Sequence, residues 1–213
     1  MKNLDAIAIA CGTDKSSERH YYTRYYQTHI GHLEDKEIKV LEIGVHLGYS
    51  LSMWSQYFSN ALIYGIDIEH LQHLSKGNVT VLQGDQNDPE FLRELSRMYG
   101  PFDLIVDDGS HHNVHMRTSF DTLFPLLTPK GIYVVEDLYC CYWTDLYGTG
   151  LPRFTDYLLE LIDALHCRGK TDYVNQDKPF VPSYTEHLGE RTEMEKIINA
   201  IHLYRGIAFI HKN

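Results

Sequence analysis

The chain has 213 residues, of which 43% are hydrophobic and 23% charged, and its net charge is −10. That length suits one α/β domain with a full core and is short for two ordinary ones. An acidic balance without a basic tract gives no support for nucleic acid or an anionic membrane as partner, and no run of about 18 apolar residues is available to cross a bilayer.

In chain order, Ala6-Ile7-Ala8-Ile9-Ala10-Cys11 looks at first like the stub of a secretion signal. Asp5 interrupts it and Thr13-Asp14-Lys15 follows at once, so it is expected instead as the apolar face of a short helix. Residues 16–34 carry Tyr21, Tyr22, Tyr25, Tyr26 and Ile30 as an i, i+4 stripe, which predicts a second helix. Residues 39–43 read as a strand, Gly44 to Gly48 as a turn, and Ser50 to Phe58 as a helix with Leu51, Trp54 and Phe58 on one face. Strands follow at 62–66 and 79–82. Asp88-Pro89 opens a helix with Pro in its first turn.

A fourth strand ends in Asp107-Asp108, and Arg117 to Leu127 is the expected helix after it. Thr128-Pro129-Lys130-Gly131 turns into a fifth strand that ends in Glu136-Asp137. Leu151 to Cys167 reads as a helix, and 169–192 as polar, irregular and mobile. Residues 193–201 read as helical, running into a strand near 202–204. Arg205-Gly206 then turns into a final strand at 207–210. Strands alternating with helices and closing in a tight hairpin predict a mostly parallel sheet with one antiparallel strand at its edge. The cysteines Cys11, Cys140, Cys141 and Cys167 lack C-x-x-C spacing, and the adjacent pair cannot easily bridge without strain, so reduced thiols in a cytoplasmic protein are expected.

Two short apolar runs that stop abruptly in carboxylates are the most informative feature. Asp108 and Glu136 lie 28 residues apart, the spacing of two parallel strands joined by one crossover helix and ending on the same sheet edge. Asp108, Glu136 and Asp137 are expected to converge there beside His111. Like charges repel, so the cluster calls for something positive among them. Oxygen donors favour a divalent cation such as Mg²⁺ or Mn²⁺ over zinc. Asp107 is expected on the opposite face of the strand end, lining the cofactor side or capping the next helix. His112 and His115 read as surface or helix-face residues. The aromatics Tyr139, Tyr142, Trp143 and Tyr147 read as packing residues, with a stacking wall for a sugar as the alternative.

The first strand ends in Glu42 and a Gly44-x-x-x-Gly48 turn. The dinucleotide fingerprint G-x-G-x-x-G is absent, which disfavours nicotinamide and flavin. Asp67 at the second strand end suits ribose hydroxyls, and Asp85-Gln86 at the third suits an adenine edge.

This series of strand ends resembles the class I S-adenosylmethionine-dependent methyltransferases over nearly the whole chain. The resemblance implies a Rossmann-like fold, with a mostly parallel seven-stranded sheet, one antiparallel strand and helices on both faces. It implies one methyltransferase domain over residues 1–213, with 1–35 as a helical cap over the cofactor. Cofactor contacts would come from Thr13, Asp14, Lys15, Glu42, Gly44, Ser50, Asp67, Asp85, Gln86 and Asp107.

Within that superfamily, Val106-Asp107-Asp108-Gly109-Ser110-His111, Val135-Glu136-Asp137-Leu138 and Gly12-Thr13-Asp14-Lys15 are similar to the metal-dependent sugar O-methyltransferases of antibiotic biosynthesis. That similarity implies Asp108, Glu136 and Asp137 as Mg²⁺ ligands and His111 as the base. The likeness is to their catalytic domain; the macrolide enzymes carry an additional N-terminal domain. The implied partner is a small-molecule glycoside or sugar acceptor, on a homo-oligomeric enzyme. The rival readings are a catechol or phenolic O-methyltransferase and a non-catalytic subunit that binds cofactor or sugar.

Overall fold

The strand that starts the sheet, β1 (Glu37–Ile43), buries both faces after its first residues, as a central parallel strand must. A computed structural model gives the fold, and it describes residues 2–143, 152–166 and 193–213. Residues 169–192 and Tyr147, Leu151 and Cys167 lie outside the described residues.

The helices before β1 are α1 (Leu4–Cys11) and α2 (Thr23–Ile30). After it come α3 (Tyr49–Tyr57), β2 (Asn60–Asp67), β3 (Val79–Gln83), α4 (Pro89–Tyr99), β4 (Leu104–Asp107), α5 (Asn113–Leu123) and β5 (Ile132–Val135). The described remainder is α6 (Phe154–His166), α7 (Glu193–Ile197), β6 (Ile198–Tyr204) and β7 (Ile207–Lys212). The sheet has seven strands in the order β3-β2-β1-β4-β5-β7-β6. β7 runs antiparallel to both its neighbours, and the other pairings are parallel. This is the Rossmann-like arrangement expected from the sequence, except that the antiparallel strand lies one in from the edge, because the hairpin places β7 against β5 and leaves β6 outermost.

Successive residues of each strand feed opposite layers. Val40, Val106, Val134 and Phe209 pack with Leu4, Tyr26 and Trp54 of the α1–α3 layer. Leu41, Ile105, Val135 and Ala208 pack with Leu92, Phe120 and Tyr157 of the α4–α6 layer. Full burial of a large apolar side chain contributes roughly 1.5–3 kcal/mol, so the two layers together fix the strand registers. Ile43 pairs with Ile66 on one side and Asp107 on the other, and Asp107 pairs with Val135. The residues that follow, Gly44, Asp108 and Glu136, therefore emerge side by side. The strand order also reverses between β1 and β4, which opens a crevice at these carboxyl ends.

Some elements differ from expectation. The helix expected over 16–34 is confined to Thr23–Ile30, because residues 13–22 wind into turns instead: His20 N–H donates to the Asp14 carbonyl, Tyr21 N–H to Ser16 and Thr23 N–H to Lys15. The helix after β4 begins at Asn113 rather than Arg117, and gives way to a 3₁₀ turn at Phe124–Leu126, where Pro125 has no N–H to donate. The segment from residue 198 is strand, not helix, paired along β7. Here the isoleucines at 198 and 201 answer to the hairpin partner rather than to helical periodicity.

Candidate functional site

A cleft of about 1410 Å³ lies along the carboxyl ends of β1–β5. Its floor is the β1 turn. Gly44 has φ +89, and a Cβ there would lie 2.2 Å from the Asp108 carbonyl oxygen, so only glycine permits the two strand ends to meet. The turn is pinned by Asp67, whose Oδ2 accepts from the Val45 N–H (2.8 Å) and the His46 N–H (3.1 Å). Its Oδ1 accepts from Glu69 N–H. Gly44, Asp67, Asp85, Gln86, Ser50 and the cap residues Thr13 and Asp14 all line the cleft.

The acidic edge behaves differently from a simple cluster of three carboxylates. Oxygens of Asp108 and Asp137 and a ring nitrogen of His111 lie within 4.8 Å of one another and face the cleft. His111 (φ 57) and Asp137 (φ 52) both occupy the left-handed backbone region, which costs a non-glycine residue of order 1–3 kcal/mol and is typically retained where function demands it. Glu136 turns the other way. Its carboxylate is 2% exposed and accepts from the Lys15 ammonium at 2.9 Å and from the Tyr26 hydroxyl. Tyr22 donates to Asp137 Oδ1 at 2.8 Å.

Lys15 is the unexpected member. From the sequence it belongs with the cofactor loop, yet it is fully buried and does not line the cleft. Its Nζ lies 2.5 Å from Asp108 Oδ2, 2.9 Å from Glu136 Oε2 and 3.5 Å from Glu42 Oε1. Burial drives the ammonium toward neutrality, but these carboxylates outweigh it and hold the lysine charged. Burial likewise raises the Asp108 and Glu136 carboxyls, with Lys15 opposing. It pushes Glu42 up to about 7. One ammonium among so many carboxylates leaves a surplus of negative charge. Glu42 Oε1 has no hydrogen-bond partner, while Oε2 accepts from Ser50 at 2.9 Å.

Asp107 does sit on the opposite face, but it does not line the cleft. It is 1% exposed, and accepts from Ser119 Oγ (2.5 Å), Tyr133 Oη (3.0 Å) and Gln86 Nε2 (3.1 Å). Burial, against these three bonds, raises its carboxyl. Through Gln86, whose Oε1 accepts from Ser110 N–H at 2.6 Å, Asp107 positions the cleft wall without reaching it. His115 also lines the cleft and pairs with Ser110 Oγ at 2.9 Å, so it is not a plain surface histidine. Tyr139 packs between His20 and Trp143 beside the cleft mouth, while Tyr142 and Trp143 are exposed. Tyr22 and Tyr26 enter the sequence pattern only as members of a helical stripe; the signal for their part in the site is hydroxyl-bearing Tyr, rather than Phe, at buried positions.

Comparison with known proteins agrees with this fold. Residues 41–138 match the family described as "Methyltransferase domain". The chain is 38% identical to demethylmacrocin O-methyltransferase of Streptomyces fradiae over 99% of its own length and 53% of that protein. It is 37% identical to mycinamicin VI 2''-O-methyltransferase of Micromonospora griseorubida, over 99% and 52% respectively. The solved structure of MycE methyltransferase from the mycinamycin biosynthetic pathway, in complex with Mg and SAH, superposes with a TM-score of 0.85 at 35% identity, over 100% of this chain and 55% of that one. The chain thus spans about half the length of the curated relatives it matches. No helix among the described residues is long and apolar enough to cross a membrane.

Proposed function

We propose, for a chain whose residues 41–138 belong to the methyltransferase-domain family, that it transfers a methyl group from S-adenosylmethionine to a sugar hydroxyl of a glycosylated small molecule, with a divalent cation at the acidic edge. The observation that carries this reading is the convergence of Asp108, His111 and Asp137 within 4.8 Å on the cleft that Gly44, Asp67 and Asp85 also line. Solved relatives support it, since one MycE complex contains Mg, SAH and mycinamycin VI.

In this reading Gly44 lets the backbone approach the methionine portion, and Asp67 keeps one lone pair, on Oδ1, for a ribose hydroxyl beyond those its three N–H donors use. Asp85 and Gln86 flank the adenine. Thr13, Asp14 and Ser50 close the cofactor end, and Glu42 acts from behind Ser50.

The residues present suit a hard cation. The donor set is rich in oxygen, and one buried lysine does not balance the carboxylates. Asp108 and Asp137, which face the cleft, would hold Mg²⁺ or Mn²⁺ with Glu136 behind them against Lys15, and the cation would supply acidity to a hydroxyl that is otherwise a poor nucleophile at neutral pH. His111 takes the proton as the acceptor oxygen forms its bond to the methyl carbon and the carbon–sulfur bond breaks, leaving S-adenosylhomocysteine. A positioned base of this kind contributes roughly 10²–10⁴-fold.

Labelled S-adenosylmethionine presented with a panel of rhamnosides, other glycosides and catechols tests the proposal. Transfer to a sugar hydroxyl that stops with a chelator and returns with Mg²⁺ is expected. Transfer to catechols alone, or none to any acceptor, would overturn it.

A further inference from the structure

A second group of metal-ligating side chains lies outside the cleft, where α2 crosses the β6–β7 hairpin. His29 of α2, His202 of β6 and His211 of β7 each present one ring nitrogen, and these nitrogens lie within 4.8 Å of one another. His29 is buried, His211 half-buried and His202 exposed, so the group is open to solvent on one side only.

The surroundings orient the first ligand. The His29 ring stacks on Phe209 at 4.3 Å between centroids, and its Nε2 lies 2.9 Å from the Tyr204 hydroxyl. With Nε2–H donating to that hydroxyl, the Nδ1 lone pair points at His211 Nε2, 3.1 Å away. A ligating histidine ordinarily has its second nitrogen held by such a partner. Tetrahedral zinc with nitrogen ligands at ~2.0–2.1 Å sets those nitrogens about 3.3 Å apart, close to the separation already present between these two. His202 comes to 4.6 Å from His29 and 5.1 Å from His211 between ring centroids, so a turn of one exposed side chain completes the set. The cluster holds imidazoles and no carboxylate, which favours zinc over the magnesium or manganese suited to the acidic edge.

We infer that His29, His202 and His211 form a separate zinc site that clamps α2 to the β6–β7 hairpin, with solvent at the fourth position. The clamp has a reach beyond its own ligands. Helix α2 also carries Tyr26, which donates to Glu136, and follows Tyr22, which donates to Asp137. Pinning α2 pins those donors. The inference stands independently of the methyl-transfer reading, because none of its three residues lines the cleft.

The test uses the full chain in saturating Mg²⁺, with Zn²⁺ titrated by calorimetry and Tm followed in parallel. Co²⁺ serves as the spectroscopic probe. The expected result is one zinc equivalent bound, a Tm raised by several degrees, and a tetrahedral visible spectrum with Co²⁺. His202→Gln, at an exposed position, and separately His211→Gln should lose all three signals, whereas Asp137→Asn should retain them. Wild-type protein that binds no zinc, binding that survives both histidine variants, or binding that disappears only in Asp137→Asn would each overturn the assignment.

Discussion

Lys15 Nζ lies 2.5 Å from Asp108 Oδ2 across 93 residues of sequence, and this contact organises the acidic edge. It divides the carboxylates in two. Asp108 and Asp137 face the cleft with His111, while Glu136 and Glu42 stand behind, against the lysine. A buried ammonium therefore supplies part of the positive charge that the sequence pattern demanded. It does not supply all of it, since one ammonium faces Asp108, Glu136 and Glu42 together, and burial raises all three carboxyls despite its pull.

Removing that ammonium strands buried carboxylates. Lys15→Met should lower unfolding free energy by about 3–5 kcal/mol, the usual cost of breaking a buried ion pair from one side. Urea denaturation at pH 7.5 without divalent metal measures it. A divalent cation should then stabilise the variant more than the wild type, since it meets more uncompensated charge. A loss under about 1 kcal/mol would mean that Lys15 contributes no more than a surface lysine.

Asp108→Asn tests the division from the cleft side. It keeps the shape of the side chain, leaves Glu136 as a partner for Lys15, and removes one charge from the group with His111 and Asp137. Methyl transfer should fall by roughly a hundredfold or more, with S-adenosylmethionine affinity by calorimetry nearly unchanged. Loss of cofactor affinity with turnover preserved at saturation would place Asp108 in the cofactor pocket instead. His111→Ala should reduce turnover similarly, again with cofactor affinity nearly unchanged.

The parts of this arrangement that were legible in the sequence are those governed by local periodicity. β1, β4 and β5 announce themselves as apolar runs, and strand alternation alone separates Asp107 from Asp108. Alternation says only that Asp107 faces away. That Ser119, Tyr133 and Gln86 would be waiting for it depends on how α5 and β5 pack. Lys15 was opaque for the same reason. It lies in a loop whose turns carry the chain inward, and its partners are 93 and 121 residues away. The His29, His202 and His211 group is equally a product of tertiary contact, since the residues sit on three separate elements.

Close approach at the cleft floor can be separated from backbone strain by comparing two glycines. Gly44 (φ +89) and Gly12 (φ +79) share a left-handed conformation, but an added Cβ meets the Asp108 carbonyl at 2.2 Å in the first case and nothing within 4 Å in the second. Gly12→Ala should therefore cost about 1 kcal/mol. Gly44→Ala should cost clearly more, about 2 kcal/mol or above, and should weaken cofactor binding as the β1 turn is pushed away from β4. Chemical denaturation of both variants checks the difference. Equal losses would mean that the β1 turn relaxes freely away from β4.

Glu42 makes the stability of the metal-free, cofactor-free protein depend on pH. Burial raises its carboxyl to about 7, against the opposing pull of Lys15 and the Ser50 hydrogen bond. Between its ordinary value of 4.5 and about 7, the folded protein binds more protons at this site than the unfolded chain does. Unfolding free energy must then fall as pH rises through that window and level off above it. At ~1.4 kcal/mol per pKa unit, the full effect is on the order of 3 kcal/mol. Glu42→Gln keeps the bond with Ser50 and cannot ionise. It should match the wild type near pH 5 and exceed it in urea midpoint at pH 8. A difference between the two proteins that stays constant from pH 5 to 8 would show that Glu42 does not titrate in this range.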